Sequence, residues 1–94
     1  MEFLISSDYM MAIFTIGADN VRIKNMENIA EAWGFAGKYD STDRLLTDAK
    51  KKKFKYILVV DYEALEIKIR KELQDIDIEI ISLKDQKKLE NKIL

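Results

Sequence analysis

The apolar positions of the chain fall into short, separated runs, and their spacing predicts the elements. Phe3-Leu4-Ile5, closed by Ser6-Ser7-Asp8, predicts a buried first strand and a turn. Between Asp8 and Gly17 the pattern predicts a helix over 8–16, with Asp8 near its start and the glycine closing it, although Ile13, Thr15 and Ile16 are β-branched. Val21-Arg22-Ile23, after an Asp19-Asn20 turn signal, predicts a second strand. Met26, Ile29, Ala30 and Trp33 recur at i, i+3, i+4 and i+7, one face of a helix capped by Asn25 and ended by Gly34 and Gly37. Ser41 or Thr42 starts the next helix. Leu45, Leu46 and Ala49 form its inner face, with Asp43 at the start and Lys50 to Lys53 at the end, as the macrodipole favours.

The run Phe54-Lys55-Tyr56-Ile57-Leu58-Val59-Val60 is apolar on both faces from Tyr56 onward, the mark of a central strand in a parallel sheet. A helix is expected next from Tyr62 to Gln74, with Leu65, Ile69 and Leu73 four apart and Glu66–Arg70 and Lys68–Glu72 as i,i+4 pairs. Asp77 to Leu83 predicts a fourth strand. Asp85 then caps a short terminal helix carrying Leu89, Ile93 and Leu94. Alternating strands and helices imply parallel crossovers. The expectation is one α/β domain over residues 1–94: a small four-stranded parallel, doubly wound sheet of the Rossmann-like or flavodoxin-like kind, with flanking helices and a short C-terminal helix.

Composition narrows the chemistry. The 94 residues contain no His, Cys or Pro, so disulfides, thiolate zinc sites, cysteine nucleophiles and imidazole bases are all excluded. Ser6 and Ser7 therefore have no imidazole base for hydrolysis. The formal charge of −1 offers no global attraction to nucleic acid or to an acidic membrane. Only Arg22, Arg44 and Arg70 among the sixteen basic residues are arginines, so bidentate phosphate recognition is poorly supplied. No apolar run approaches the roughly 20 residues of a membrane-spanning helix, and Glu2 without a basic n-region predicts no signal peptide. The expected location is cytoplasmic.

Three clusters invite a chemical reading. Asp8 and Asp61 each follow an expected parallel strand, where open α/β sheets bind ligands. Asp61 as phosphoryl acceptor, with Ser82 and Lys84 at the end of the last strand and magnesium as cofactor, would be similar to a response-regulator receiver domain. Ser7, however, stands where a second acid is needed, and a fifth strand is missing. The plainer role of such aspartates is helix capping. Asp8, Asp61 and Glu63 also admit a small magnesium-dependent nuclease, although Glu63 equally suits a helix first turn. Lys50 to Lys53 and Lys55, beside Phe54 and Tyr56, form a basic, aromatic patch of the kind that contacts nucleic acid. Spaced two apart, Phe54 and Tyr56 are instead expected on one sheet face, in the core, and no nucleic-acid partner is expected. Gly34-Phe35-Ala36-Gly37 comes after a helix and lacks the spacing of a nucleotide loop; a helix end or turn is expected there, with Trp33 in the core.

With the strand ends placed, the chain resembles the F-subunit family of the archaeal and vacuolar-type rotary ATPases in length and order of elements. Phe3-Leu4-Ile5-Ser6-Ser7-Asp8 is similar to that family's opening strand and Gly-Asp turn, with Ser7 in place of Gly. Phe14-Thr15-Ile16-Gly17 is similar to its Phe-Arg…Gly segment, with Thr15 in place of Arg. Lys55 to Glu63 resembles its third strand and the acidic start of the next helix. Ile78 to Leu83 resembles its fourth strand, and Lys92-Ile93-Leu94 its closing pair. The stretch 24–53 is longer than in the family and the tail after Leu83 shorter. The resemblance implies a non-catalytic central-stalk subunit without a cofactor. Its partners would be the coiled-coil shaft subunit and the socket subunit, with the membrane reached through the complex only. Contact is expected through the strand-end loops and the terminal helix, with Asp8, Phe35, Tyr39, Lys87, Lys88, Asn91, Ile93 and Leu94 as partner-facing candidates.

Overall fold

Met11–Phe14 is a strand, β1, with every residue buried, not the second half of a helix. A strand covered on both faces reads as an unbroken apolar run, which periodicity cannot distinguish from a short buried helix. The β-branched residues of this segment were the discriminating signal. These assignments come from a computed structural model that describes residues 10–85. The expected strand at 3–5, Asp8 and the expected terminal helix, with Lys87, Lys88, Asn91, Ile93 and Leu94, lie outside the described residues.

Asp19 and Asn20 are not a turn before a strand. Asp19 is the cap of helix α1, Asn20–Trp33: its carboxylate accepts a hydrogen bond from the Arg22 N–H at 2.9 Å. Residues 21–23, expected as a strand, are thus the first turn of that helix, and Asn25 lies inside it. The side-chain cap supplies a partner for an orphan helix N–H, which a three-residue apolar run cannot outweigh. Gly34 ends α1 as expected, at φ 96, a left-handed conformation suited to glycine. The next segment is not a turn but β2, Phe35–Tyr39. It pairs with β1 through a register shift opposite Met11/Ala12 that accommodates Ala36 and Gly37.

Helix α2, Thr42–Lys50, is capped by Ser41 and carries Asp43 first and Lys50 last, as expected. Strand β3, Tyr56–Val59, and strand β4, Glu79–Ser82, also match expectation. Between them the expected long helix is divided. A 3-10 turn covers Tyr62–Ala64, Leu65 is extended, and helix α3 runs Ile67–Asp75. The expected i,i+4 ion pairs do not form within α3. The Arg70 Nε donates to the Leu65 carbonyl at 3.1 Å, and Glu72 instead faces Lys50 of α2 at 3.8 Å.

All four strands are parallel, in the order β2-β1-β3-β4. The fold is a small flavodoxin-like α/β sheet. Period-two alternation sorts the side chains. Ala12, Phe14, Ile57, Val59 and Ile80 meet Leu45, Ala49, Ile69 and Leu73 of α2 and α3. Met11, Ile13, Leu58 and Ile81 meet Met26, Ala30 and Trp33 of α1. Phe54 and Tyr56 do not share a face. Phe54 lies with α2 and α3, whereas Tyr56 packs edge-on against Trp33 at 4.9 Å. Phe54 precedes the strand, and the N–H groups of Lys55 and Tyr56 both donate to the Met10 carbonyl, which interrupts the pleat. Both rings are turned inward, so the lysine run is a solvated helix end. No helix among the described residues is long and apolar enough to cross a membrane.

Because Leu58 is fully buried at the centre of the sheet, Leu58→Ala should cost about 2–5 kcal/mol. The urea midpoint should drop with little change in slope. Val21→Ala, at a position 79% exposed, should change the stability by about 0.5 kcal/mol or less.

Candidate functional site

Parallel strands end together, so the β1–α1 loop, the β3–α3 connection and the residues after β4 share one end of the sheet. In the order β2-β1-β3-β4 the connections leave β1 and β3 in opposite directions, so the switch point lies between these strands. There Gly17 turns the chain at φ 84, and a Cβ at this position would stand 3.4 Å from Val60 Cγ1. The left-handed backbone calls for glycine, while the approach to Val60, the residue after β3, is ordinary van der Waals contact.

Asp61, Ser82 and Lys84 are brought together, as their strand-end positions suggested. Lys84 Nζ donates to Asp61 Oδ2 at 2.8 Å, and the Glu63 N–H reaches Asp61 Oδ1 at 3.3 Å. Ser82, 1% exposed, donates through Oγ to the Val60 carbonyl at 3.4 Å and accepts from the Lys84 N–H at 3.1 Å. The hydrogen bond from Lys84, with that from the Glu63 N–H behind it, holds the Asp61 carboxyl below the usual carboxylate range. The same pairing raises the Lys84 ammonium. Both carboxylate oxygens of Asp61 are thus occupied by its own chain.

At the end of β1 no carboxylate appears before Asp19. Its two oxygens are taken by the Arg22 backbone N–H and guanidinium, the latter at 2.8 Å. The Asp-x-x-Arg spacing was a legible local signal for this capped pair. No cluster of three or more His, Cys, Asp or Glu side chains placed to hold a metal ion occurs among the described residues. Glu63 sits in the 3-10 turn and engages Asp61 through its backbone.

Of the partner-facing candidates, Phe35 is 45% exposed, at the opposite end of the sheet, where β2 begins. Tyr39, expected to face a partner, is buried instead. It is 7% exposed, its ring lies against Phe54 at 5.6 Å, and its hydroxyl donates to Asp48 Oδ2 of α2 at 2.6 Å. As the last residue of β2 it points into the layer under α2 and α3. Burial first, and then the Asp48 hydrogen bond, push the Tyr39 phenol up to about 12; in return the phenol lowers the Asp48 carboxyl. Nine residues apart and on different elements, this pair had no sequence signal. An open cleft of about 350 Å³ lies nearby at the ends of β1 and β2, lined by Thr15, Asn20, Ile23, Lys38, Asp40 and Arg44.

Compared with family models, with curated proteins and with solved structures, the chain gives no match.

The Tyr39–Asp48 pair predicts a pH dependence. Folded Tyr39 keeps its proton to about pH 12, while an unfolded tyrosine loses it near about 10, so the folded state holds the extra proton between these values. Stability should be complete below about pH 10 and fall as pH rises toward 12. Phenolate absorbance should show one tyrosine ionising late, and Asp48→Asn should bring it earlier. Late ionisation unchanged in that variant would contradict the assignment.

Proposed function

We propose that the chain is a non-catalytic central-stalk subunit of an archaeal or vacuolar-type rotary ATPase. It binds the coiled-coil shaft subunit near the socket subunit and reaches the membrane only through that complex, on the cytoplasmic side. The observation that carries this reading is the four-stranded parallel sheet with alternating helices, the fold class and order of elements that the resemblance implies. The resemblance rests on an opening strand followed by a Gly-Asp turn. The segment likened to it, Phe3 to Asp8 with Ser7 in place of Gly, lies outside the described residues. Phe14-Thr15-Ile16-Gly17, likened to the family's Phe-Arg…Gly segment, is the end of β1 and the turn after it. β3 with its acidic continuation Asp61-Tyr62-Glu63, and then β4, come in the family's order.

The strand-end carboxylates suit a binding role. Asp19 and Asp61 spend their oxygens on their own loops and make that end of the domain a fixed shape. Mixed with a purified shaft subunit of such an ATPase, the chain should co-elute as a stoichiometric complex in size-exclusion chromatography. Separate elution at concentrations well above micromolar would sink the stalk assignment.

The Asp61–Lys84–Ser82 arrangement favours a second reading, a phosphate-responsive domain of receiver type with Asp61 as acceptor. Magnesium with a phosphoryl analogue should leave the backbone resonances around Asp61 unmoved if the stalk reading holds. Saturable shifts abolished by Asp61→Asn would favour the receiver instead.

A further inference from the structure

Phe35, Met11, Tyr56 and Glu79 form the first rung of the sheet, paired across neighbouring strands at its amino end. Side chains on one rung of a parallel sheet point to one face. Met11 and Tyr56 pack with Trp33 on the α1 face, so Phe35 belongs to that face as well. Lys38, two rungs further along β2, reaches Glu27 of α1 at 2.8 Å, in agreement with this placement. Neighbouring strands lie about 4.8 Å apart, so Phe35 and Tyr56 flank Met11 at a separation of about 10 Å. Trp33 stands against Tyr56 with ring centroids 4.9 Å apart. Phe35, Trp33 and Tyr56 are thus one aromatic row on one face.

The row is incompletely covered. Helix α1 ends at Trp33, and Gly34 turns the chain directly into β2, so Phe35 lies beyond the helix and is 45% exposed. Tyr56 and Met10 are half-buried. Trp33 is 3% exposed, and its indole N–H has no hydrogen-bond partner among the described residues. A buried donor without an acceptor is costly, and such groups are rare in folded proteins. The row therefore lacks an apolar cover and an acceptor.

One segment of the chain is delivered to this place. The Met11 N–H donates to the Gly34 carbonyl at 2.7 Å, and the Met10 carbonyl accepts from the N–H groups of Lys55 and Tyr56 at 3.1 and 3.2 Å. Met10 is held between the end of α1 and the start of β3, and residues 3–9 join the fold there. An extended chain spans at most about 3.6 Å per residue, so Ile5 lies within about 18 Å of Met10 and Phe3 within about 25 Å. A segment tethered at such range has an effective concentration of about millimolar, so even a weak apolar contact fills the surface ahead of a free partner. The segment carries what the row lacks: Phe3, Leu4 and Ile5 as apolar cover, and Ser6, Ser7 and Asp8 as acceptors. The other segment outside the described residues leaves from Asp85, at the opposite end of the sheet.

From this juxtaposition we infer that the aromatic row of Trp33, Phe35 and Tyr56 is the docking surface for residues 3–9 of this chain, which close over the amino end of the sheet as a strap. The apolar triplet covers Phe35 and Tyr56, and the segment supplies the acceptor for the Trp33 N–H. Phe35 is then withdrawn from partners while the strap is closed, and a partner that binds this face must displace it. The inference is independent of the stalk reading.

The test is nuclear magnetic resonance on the full chain. Nuclear Overhauser contacts should run from the methyl groups of Leu4 and Ile5 to the rings of Phe35 and Tyr56. Leu4→Asp with Ile5→Asp should remove them and speed hydrogen exchange of the Trp33 indole N–H by about tenfold or more. The amides of Ile57 and Leu58 should keep their protection in that variant. Loss of their protection would mean a failed fold, and Phe35→Ala, at an exposed position, then decides: it should move the Leu4 and Ile5 methyl resonances with the fold intact. Rings without contacts to residues 3–5, or indole exchange unchanged in a folded variant, would overturn the inference. So would ring contacts to Leu89 or Ile93 in their place, or contacts seen only between differently isotope-labelled chains, since the terminal segment or a second copy would then be the occupant. Co-elution with a shaft subunit is read separately, so either result can fail while the other stands.

Discussion

The pairing of β1 with β3, buried from both sides, is the constraint on which the rest of the molecule depends. Met11, Ala12 and Ile13 lie beside Tyr56, Ile57 and Leu58, and all but Tyr56 are fully buried. With water excluded, each backbone N–H and C=O in this pair needs a partner in the sheet. The pairing is parallel, so every connection must cross from one end of the sheet to the other, and here each crossing contains a helix. Those helices cover the two faces whose alternating side chains would otherwise meet solvent. Burial of the two central strands and placement of the loops at the strand ends are therefore one physical fact.

At the carboxyl end the polar groups are spent largely on closing the fold. Asp19 supplies the cap that turns a valine- and isoleucine-containing stretch into helix, and Asp61 ties β3 to the residue pair after β4 through Lys84. Ser82 is buried with its hydroxyl bonded on both sides. These are the positions where an open α/β sheet usually presents its chemistry.

The part of the fold that was legible came from segments whose pattern and chemistry agree. β3 is apolar on both faces, α2 has a serine cap with acid first and base last, and β4 carries Ile80 and Ile81 on its two faces, so each is where its residues placed it. The parallel α/β class came from the alternation of such segments, even though residues 11–14, 21–23 and 35–39 were assigned to other elements. In that region periodicity competed with capping. The run Met10 to Phe14 fits a helix or a doubly covered strand equally well, and residues 21–23 read as a strand until Asp19 is recognised as a cap. Of the site, the meeting of Asp61, Ser82 and Lys84 was visible because all three sit at strand ends. The burial of Tyr39 was not, because its partner Asp48 belongs to another element.

By itself the amino-acid sequence determined the layered α/β class, the two-sided core strand at Tyr56 to Val59, the helix end at Gly34 and the lack of thiol and imidazole chemistry. Each of these depends only on composition or on near neighbours along the chain. The tertiary structure decided which apolar runs became strands, the order β2-β1-β3-β4, the turning of Phe54 and Tyr56 to opposite faces, and the burial of Tyr39 against Phe54. The physical reason is that burial is a property of three-dimensional neighbours. A residue's own spacing shows how it can be covered, and only the packed layers determine whether it is.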